Sequence, residues 1–246
     1  MGDITMKTQY DAIVIGSGIS GGYSAMELCK KGYKTLMLER GPMVEHGEYP
    51  TAHLDTWDMP NQGKVSRKEV EKHYFKQNRL GWWVKEDVKP FINKDDEYPY
   101  DEDERFDWIR GHHVGGRSVM WGRHCPRWSD YDFDANKRDG IAVDWPIRYK
   151  DIEHWYDYVE TFVGVAGQKE GLKQAPDGKF IAPFPLNCVE RKMREAVQEK
   201  YPNRVVTPCR TANLSEYNPE VHLGTRGQFH HLVSVQYQLL YFFYKS

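Results

Sequence analysis

A glycine-rich segment near the start of the chain has the residue types needed to hold a phosphate group. Residues 16–22 read GSGISGG and match the pattern G-x-G-x-x-G at Gly16, Gly18 and Gly21. In this pattern the first glycine permits a tight turn, the second lets the backbone approach a pyrophosphate, and the third lets a helix pack on a sheet. The N–H groups at the start of that helix attract negative charge. The segment therefore predicts a dinucleotide-binding loop.

An acidic residue downstream supports this prediction. Glu39 lies 23 residues after Gly16, and a carboxylate at about this distance accepts hydrogen bonds from the ribose hydroxyl groups of a dinucleotide. A glycine-rich turn without a ligand does not explain Glu39. The glutamate disfavours NADP, and the long irregular stretch that follows favours FAD over NAD. An NAD-dependent dehydrogenase is the alternative at this point.

The flanking residues predict the elements that position the loop. Residues 10–15 form an apolar run typical of a buried parallel strand, residues 19–31 have apolar side chains at helical spacing, and residues 34–39 form a second strand. Together they predict a right-handed βαβ unit. Cys29 is expected to be a small buried residue of the helix.

A second segment with chemically versatile residues lies about a hundred positions farther on. Residues 111–122 read GHHVGGRSVMWG. His112 and His113, with His124 and Cys125 nearby, carry imidazole and thiolate groups of the kind that bind zinc. Adjacent histidines on a strand point to opposite faces, however, so a metal site is disfavoured and no metal ligand is assigned.

The remaining chain predicts a less regular middle and a more regular second half. From 42 to about 105 no period is sustained, which indicates a lid, an oligomer contact or a long surface insertion. A polar helix at 66–77 and a short strand pair within 79–91 are predicted there. An amphipathic helix, a second helix and a strand are predicted farther on, at 149–163, 187–200 and 203–208.

Composition excludes several classes of protein. The 34 basic and 36 acidic residues give a net charge of −2, without the basic excess that nucleic-acid binding requires. No apolar run is long enough for a membrane span. The four cysteines form no C-x-x-C pair, so neither a zinc ribbon nor a redox dithiol is predicted. The first residues lack the order of a secretion signal, which predicts a cytoplasmic location, with export to the periplasm beside a partner as the alternative.

Three segments, in the same order, resemble the glucose–methanol–choline (GMC) family of flavoprotein oxidoreductases. DAIVIGSGISGGYSAMELCKKGYKTLMLERG resembles the N-terminus of that family, HVGGRSVMWG resembles its second FAD-contact segment, and DWPIRYKDIEHWYDYVETFVGVAG resembles the helix that follows. They cover most of residues 9–167. The resemblance is strongest to bacterial FAD-dependent sugar or glucoside dehydrogenases and to pyranose oxidases.

The resemblance implies an α/β fold with a Rossmann-like FAD-binding domain over 1–170, interrupted at about 42–105, and part of a substrate domain over 171–246. It implies FAD-dependent oxidation of an alcohol group of a sugar or related polyol. A hydride would pass from the substrate carbon to flavin N5, and the electrons would leave to an acceptor protein or a quinone. The implied cofactor-binding residues are Gly16, Ser17, Gly18, Ser20, Gly21, Glu39, Arg40, Gly115, Gly116, Ser118, Met120, Trp121 and Gly122.

Departures from the family refine these expectations. Met120 stands where pyranose oxidases have a histidine bonded to the flavin, so the FAD is expected to be noncovalent. Arg117 replaces a small residue and either stabilises the reduced, anionic flavin or holds the loop. Arg110 either balances phosphate charge or forms a surface salt bridge.

The family's catalytic histidine, paired with a second histidine or an asparagine, has no counterpart in this sequence. His230 and His231 lack a matching context, so no catalytic residue is assigned. The last twenty residues, 227–246, are apolar and atypical, and are interpreted as a truncated or frameshifted end. A catalytically inactive flavin-binding fragment is therefore the other alternative function.

Overall fold

The chain divides into two compact units. The computed structural model describes residues 9–45, 49–80, 84–216, 218 and 243–245. The first unit ends at Trp121 and the second begins at Gly122. The first unit therefore contains both glycine-rich segments except Gly122. The domain ranges 1–170 and 171–246 stay a prediction. His230 and His231 lie outside the described residues.

The first unit begins with the predicted strand, helix and strand. Strand β1 (Ala12–Ile15) pairs in parallel with β2 (Thr35–Leu38), with Ala12 opposite Thr35 and Ile15 opposite Leu38. Helix α1 (Ile19–Lys30) connects the strands and packs on both of them. The α/β class and the parallel strand pair are confirmed, and they are compatible with a Rossmann-like fold.

The predicted burial of this βαβ unit is wrong. Every residue of α1 is described and none is buried, and Cys29 is exposed. In β1, Ile15 is 86% exposed, whereas Val14 points toward α1. These side chains are exposed because α1 covers only one side of the sheet. Among the described residues this sheet has two strands, so little else packs on the unit.

The irregular middle of the chain contributes buried residues to the first unit. Helix α2 (Arg67–His73) is shorter than predicted, because Ser66 caps its start and it ends at Tyr74. Tyr74, Gln77 and Ile92 are buried. The predicted strand pair is wrong for the described residues of 79–91, which instead form 3-10 turns at Gln77–Leu80 and Lys89–Phe91.

The second unit is built on helices. The predicted amphipathic helix is confirmed as α5 (Tyr149–Val163), and Asn187 caps the other long helix, α6 (Cys188–Lys200). Strand β3 (Arg204–Val206) pairs in antiparallel with β4 (Phe243–Lys245). Two short helices, α3 (Asp130–Phe133) and α4 (Ala135–Asp139), precede α5.

The buried side of α5 carries an ion pair. Glu160 is 4% exposed and accepts a hydrogen bond of 2.8 Å from Arg127 Nε. The Arg127 guanidinium also binds Asp157 at 2.5 Å and Tyr149 Oη at 2.7 Å. Trp155, on the predicted apolar face, is 56% exposed, so a buried charge pair rather than this tryptophan anchors the helix.

Among the described residues, no helix combines the length and the apolar character that crossing a bilayer requires.

Candidate functional site

The turn from β1 into α1 is held by backbone contacts. Gly16 donates a hydrogen bond from its N–H to the Leu38 carbonyl at 2.7 Å and has a φ of +90°, which a residue with a side chain rarely adopts. A Cβ atom at Gly21 would lie 2.0 Å from the Gly16 carbonyl oxygen. The glycines therefore let α1 pack against the turn as the motif predicts.

The start of α1 is arranged to receive an anion. Gly18 is the N-cap residue and, as a glycine, has no side chain that could cap the helix, and the first turn contains no acidic side chain. A Cβ at Gly18 would meet no described atom within 4 Å. The first N–H groups of a helix have no partner within the helix and attract negative charge. Ser20 lies exposed in this first turn.

Glu39, at the end of β2, binds the same turn. One carboxylate oxygen accepts hydrogen bonds from Ser17 N–H at 2.8 Å and Ser17 Oγ at 2.6 Å, and the other accepts from Gly41 N–H at 2.9 Å. The Ser17 hydroxyl, the Gly41 N–H and the Ser17 N–H lower the pKa of Glu39 to about 2. Glu39 is therefore ionised at neutral pH, and the oxygen that accepts from Gly41 keeps further acceptor capacity.

The second glycine-rich segment contacts the first directly. Gly115 donates from its N–H to Ser17 Oγ at 2.9 Å, across 98 residues of sequence. Gly115 has a φ of +87°, and a Cβ at Gly116 would lie 3.1 Å from Gly18 Cα. Ser17 thus joins three segments, because its side chain donates to Glu39 and accepts from Gly115.

The residues after β2 pack on the same segment. A Cβ at Gly41 would lie 2.2 Å from the backbone of His112 and His113, and Val114 N–H donates to the Pro42 carbonyl at 2.9 Å. The end of β2 and residues 111–116 therefore form one continuous surface with the turn after β1.

Several predicted residues have roles that the sequence left open. Arg117 is exposed and donates to the Ile109 carbonyl at 2.5 Å, which favours its role in holding the loop. Arg110 binds the Tyr98 carbonyl and lies 4.7 Å from the ring of Trp108. Arg40 is exposed, with its guanidinium 5.8 Å from the Tyr98 ring.

The remaining predicted residues lie at the end of the second segment. Ser118 donates to the Gly115 carbonyl at 2.5 Å, and Met120 ends the 3-10 turn Gly116–Val119. Trp121 is 38% exposed. Gly122 begins the second unit, where a Cβ would lie 3.1 Å from the His124 ring.

Asn93, which no sequence pattern singles out, binds residues 110 and 112, around the start of the second segment. Asn93 donates from its N–H to the Arg110 carbonyl at 2.7 Å and accepts at Oδ1 from His112 N–H at 3.1 Å. Its Nδ2 lies 2.8 Å from His112 Nδ1. No local pattern marks Asn93, because these contacts depend on the chain returning after about twenty residues.

The histidines of the candidate metal site are engaged elsewhere. His112 contacts Asn93, and His124 Nδ1 lies 2.7 Å from Cys209 Sγ. His113 is 3% exposed, and burial lowers its pKa. Across the part of the chain that the structure describes, no group of three or more His, Cys, Asp or Glu side chains could hold a metal ion.

Comparisons with known proteins give three informative relatives. The chain is 29% identical to 2-methyl-1,2-propanediol dehydrogenase of Mycolicibacterium austroafricanum over 172 residues. This aligned region covers 66% of this chain and 26% of the relative. It is 26% identical to paromamine 6'-oxidase of Streptomyces fradiae, over 66% of this chain and 24% of the relative. It is 25% identical to the fructose dehydrogenase large subunit of Gluconobacter japonicus, over 73% of this chain and 31% of the relative. No family model matches the chain.

These relatives are oxidoreductases that act on alcohol groups. More narrowly, they are GMC-family oxidoreductases, and the resemblance of this chain to that family is confirmed at low identity over about 66% of its length. The matched region spans about a quarter of the length of the first relatives.

Proposed function

We propose that this chain forms the FAD-binding part of a GMC oxidoreductase that oxidises an alcohol group of a sugar or related polyol. The observation that carries the proposal is the junction at Ser17, which links the GSGISGG turn, Glu39 and Gly115 through hydrogen bonds of 2.6–2.9 Å. Two separate glycine-rich segments and a carboxylate thus converge on the open N-terminus of α1.

The described residues fit a dinucleotide. The N–H groups of α1 would donate to the diphosphate, and Gly18 leaves room for it beside the backbone. Glu39, held ionised by Ser17 and Gly41, would accept hydrogen bonds from the adenosine ribose. The second segment would contact the cofactor through Gly115, Gly116, Ser118, Met120, Trp121 and Gly122, and Arg40 would lie beside Glu39.

Bound FAD would supply the hydride acceptor for the alcohol carbon. The chain would hold FAD without a covalent bond, because Met120 offers no nucleophile at the position where a linking histidine is expected. The FAD-binding domain would extend over 1–170 with part of a substrate domain after it.

The names of the relatives support the substrate class. They refer to a diol, to paromamine and to the sugar fructose, which all carry more than one polar substituent, hydroxyl groups included. One relative is named as a large subunit, which supports an acceptor protein as the route for electrons, with a quinone as the other route.

The test is FAD binding by the purified chain, measured by quenching of flavin fluorescence. The unaltered chain should bind FAD, and Gly18→Val should lose binding by about a hundredfold or more, because the added methyl groups occupy the diphosphate position. Gly18→Val should still fold, since a Cβ there meets no described atom within 4 Å. The matched control is Gly22→Ala, which has the same open surroundings and should bind FAD normally.

Equal FAD affinity in Gly18→Val and the unaltered chain would refute the proposed site. If the chain binds FAD, dye-linked oxidation of polyols by the FAD-loaded chain separates a working oxidoreductase from a flavin-binding fragment without turnover.

A further inference from the structure

Asn93 holds the second segment through three of its four polar groups. Its N–H, Oδ1 and Nδ2 contact Arg110 and His112 at 2.7, 3.1 and 2.8 Å respectively. Gln77, which is 2% exposed, donates from Nε2 to the Asn93 carbonyl at 3.2 Å. Asn93 is therefore fixed from behind by a buried side chain and cannot turn without breaking this set of bonds.

The bonds of Asn93 determine the protonation of His112. Since Asn93 Oδ1 accepts the His112 backbone N–H, the amide nitrogen Nδ2 must face the imidazole, and an amide nitrogen only donates. Nδ2 lies 2.8 Å from Nδ1 and 3.4 Å from Nε2, so Nδ1 is the acceptor. The neutral ring then carries its proton on Nε2.

The surroundings of His112 disfavour its charged form. Burial lowers the pKa of His112, and the positive charges of Arg40 and Arg110 lower it further, with a smaller contribution from His113, whereas Glu39 raises it. The ring of Tyr98 packs against the imidazole at 5.0 Å between centroids. These groups include the charged residues that face His112 from β2 and from its own segment.

His112 lies beside the residues that follow β2, and the adenosine half of a dinucleotide binds near that position in this type of fold. Gly41, two residues after Glu39, packs directly on the His112 backbone. A ring N–H at this place can donate to the adenine or its ribose, alongside the accepting carboxylate of Glu39.

We propose that Asn93 is a positioning residue that holds His112 as a neutral, Nε2-protonated donor for the adenosine half of the cofactor. This inference rests on the proposed FAD site and assigns a part of it to the irregular stretch between the two glycine-rich segments.

The decisive variant is Asn93→Asp. It keeps the backbone N–H and the Oδ1 acceptor but replaces the Nδ2 donor with a carboxylate oxygen. The carboxylate accepts from Nδ1–H, so the proton should move to Nδ1 and the pKa of His112 should rise. The measurement is ¹⁵N-detected NMR of the imidazole in the cofactor-free chain, which reports tautomer and titration directly.

FAD affinity gives the second reading. Asn93→Asp and His112→Leu should each weaken FAD binding by about three- to tenfold, as expected for one lost hydrogen bond. The loss in Asn93→Asp should vary with pH as His112 titrates, and the loss in His112→Leu should not. The control is Asn136→Asp in the second unit, whose Nδ2 donates to the Val143 carbonyl at 2.9 Å, and which should leave FAD affinity unchanged.

The outcomes separate this inference from the proposed function. An Nδ1-protonated His112 in the unaltered chain, or FAD affinity that both variants leave unchanged, would overturn the inference while the FAD site stands. Failure of the unaltered, folded chain to bind FAD would overturn both.

Discussion

Glu39 and Glu160 show two uses of a carboxylate in one chain. Glu39, partly exposed in the first unit, is bound by two N–H groups and a hydroxyl group. Glu160, buried in the second unit, is bound by the guanidinium of Arg127. Neutral donors leave the negative charge of Glu39 available to a ligand, whereas the cation neutralises Glu160 and ties α5 to the preceding loop. Glu39 thus keeps a charge that is not neutralised by a cation, whereas the charge of Glu160 is used to hold α5 in place.

The strongest test of this contrast is Arg127→Met. The Arg127 side chain is 0% exposed, so its loss leaves Glu160 buried without a cation, which should lower the free energy of unfolding by about 3–5 kcal/mol. Urea unfolding followed by circular dichroism measures this loss. The matched control is Arg138→Met, which removes an ion pair with Asp134 between side chains that are 48% and 42% exposed and should cost about 1 kcal/mol or less. Similar losses in the two variants would remove the distinction.

A smaller effect is expected from Gly21→Ala in the first unit. The added Cβ would lie 2.0 Å from the Gly16 carbonyl oxygen, so α1 must shift, at a cost of about 1–3 kcal/mol, and FAD affinity should fall with it. Gly22→Ala, one position farther on, should be neutral or stabilising by about 0.5–1 kcal/mol because alanine favours the helix. Calorimetry and FAD titration compare the two. Equal stability would show that the turn does not depend on close packing at Gly21.

The smallest effect is expected from Glu39→Gln and depends on pH. Because the pKa of Glu39 is lowered from 4.5 to about 2 in the folded chain, the ionised carboxylate contributes stability that is fully present above pH 4.5 and is lost as the pH falls through 2. At neutral pH the difference should be about 1 kcal/mol or less, because solvent screens this partly exposed group. The free energies of unfolding of the unaltered chain and of Glu39→Gln, measured between pH 6 and 2, should converge as the pH falls.

If the two free energies of unfolding differ by the same amount at every pH in that range, the hydrogen bonds assigned to Glu39 are contradicted. Ser17→Ala sharpens the result, since it removes the hydroxyl donor but keeps the N–H group. It should reduce the pH dependence without abolishing it.

Local patterns were sufficient for the parts of the fold whose neighbours are close in sequence. The βαβ unit and α5 follow from apolar spacing, and the glycines of the first turn follow from what the turn requires. The burial of Cys29 was predicted wrongly, because periodicity tells which side chains share a face but not whether anything covers that face. The strand pair within 79–91 failed for a different reason, since Pro90 lacks the N–H that pairing needs and lies in a 3-10 turn.

The site was predictable as a set of segments but not as a set of contacts. Glu39 was assigned to a ribose, yet its bonds to Ser17 and Gly41 depend on side-chain geometry that no spacing rule contains. Asn93 was hidden in a stretch without periodicity. Arg127 and Glu160 were missed because a buried ion pair resembles two surface charges when only the sequence is read.

The bond between Ser17 and Gly115 also sets an order in time. The two residues are 98 positions apart, and a ribosome adds roughly 5–20 residues per second, so Ser17 is synthesised roughly 5–20 s before its partner. Closing so large a loop is slow relative to pairing β1 with β2. During translation the turn after β1 can therefore bind Glu39 before Gly115 has been synthesised, so the contact between the two glycine-rich segments forms after the βαβ unit.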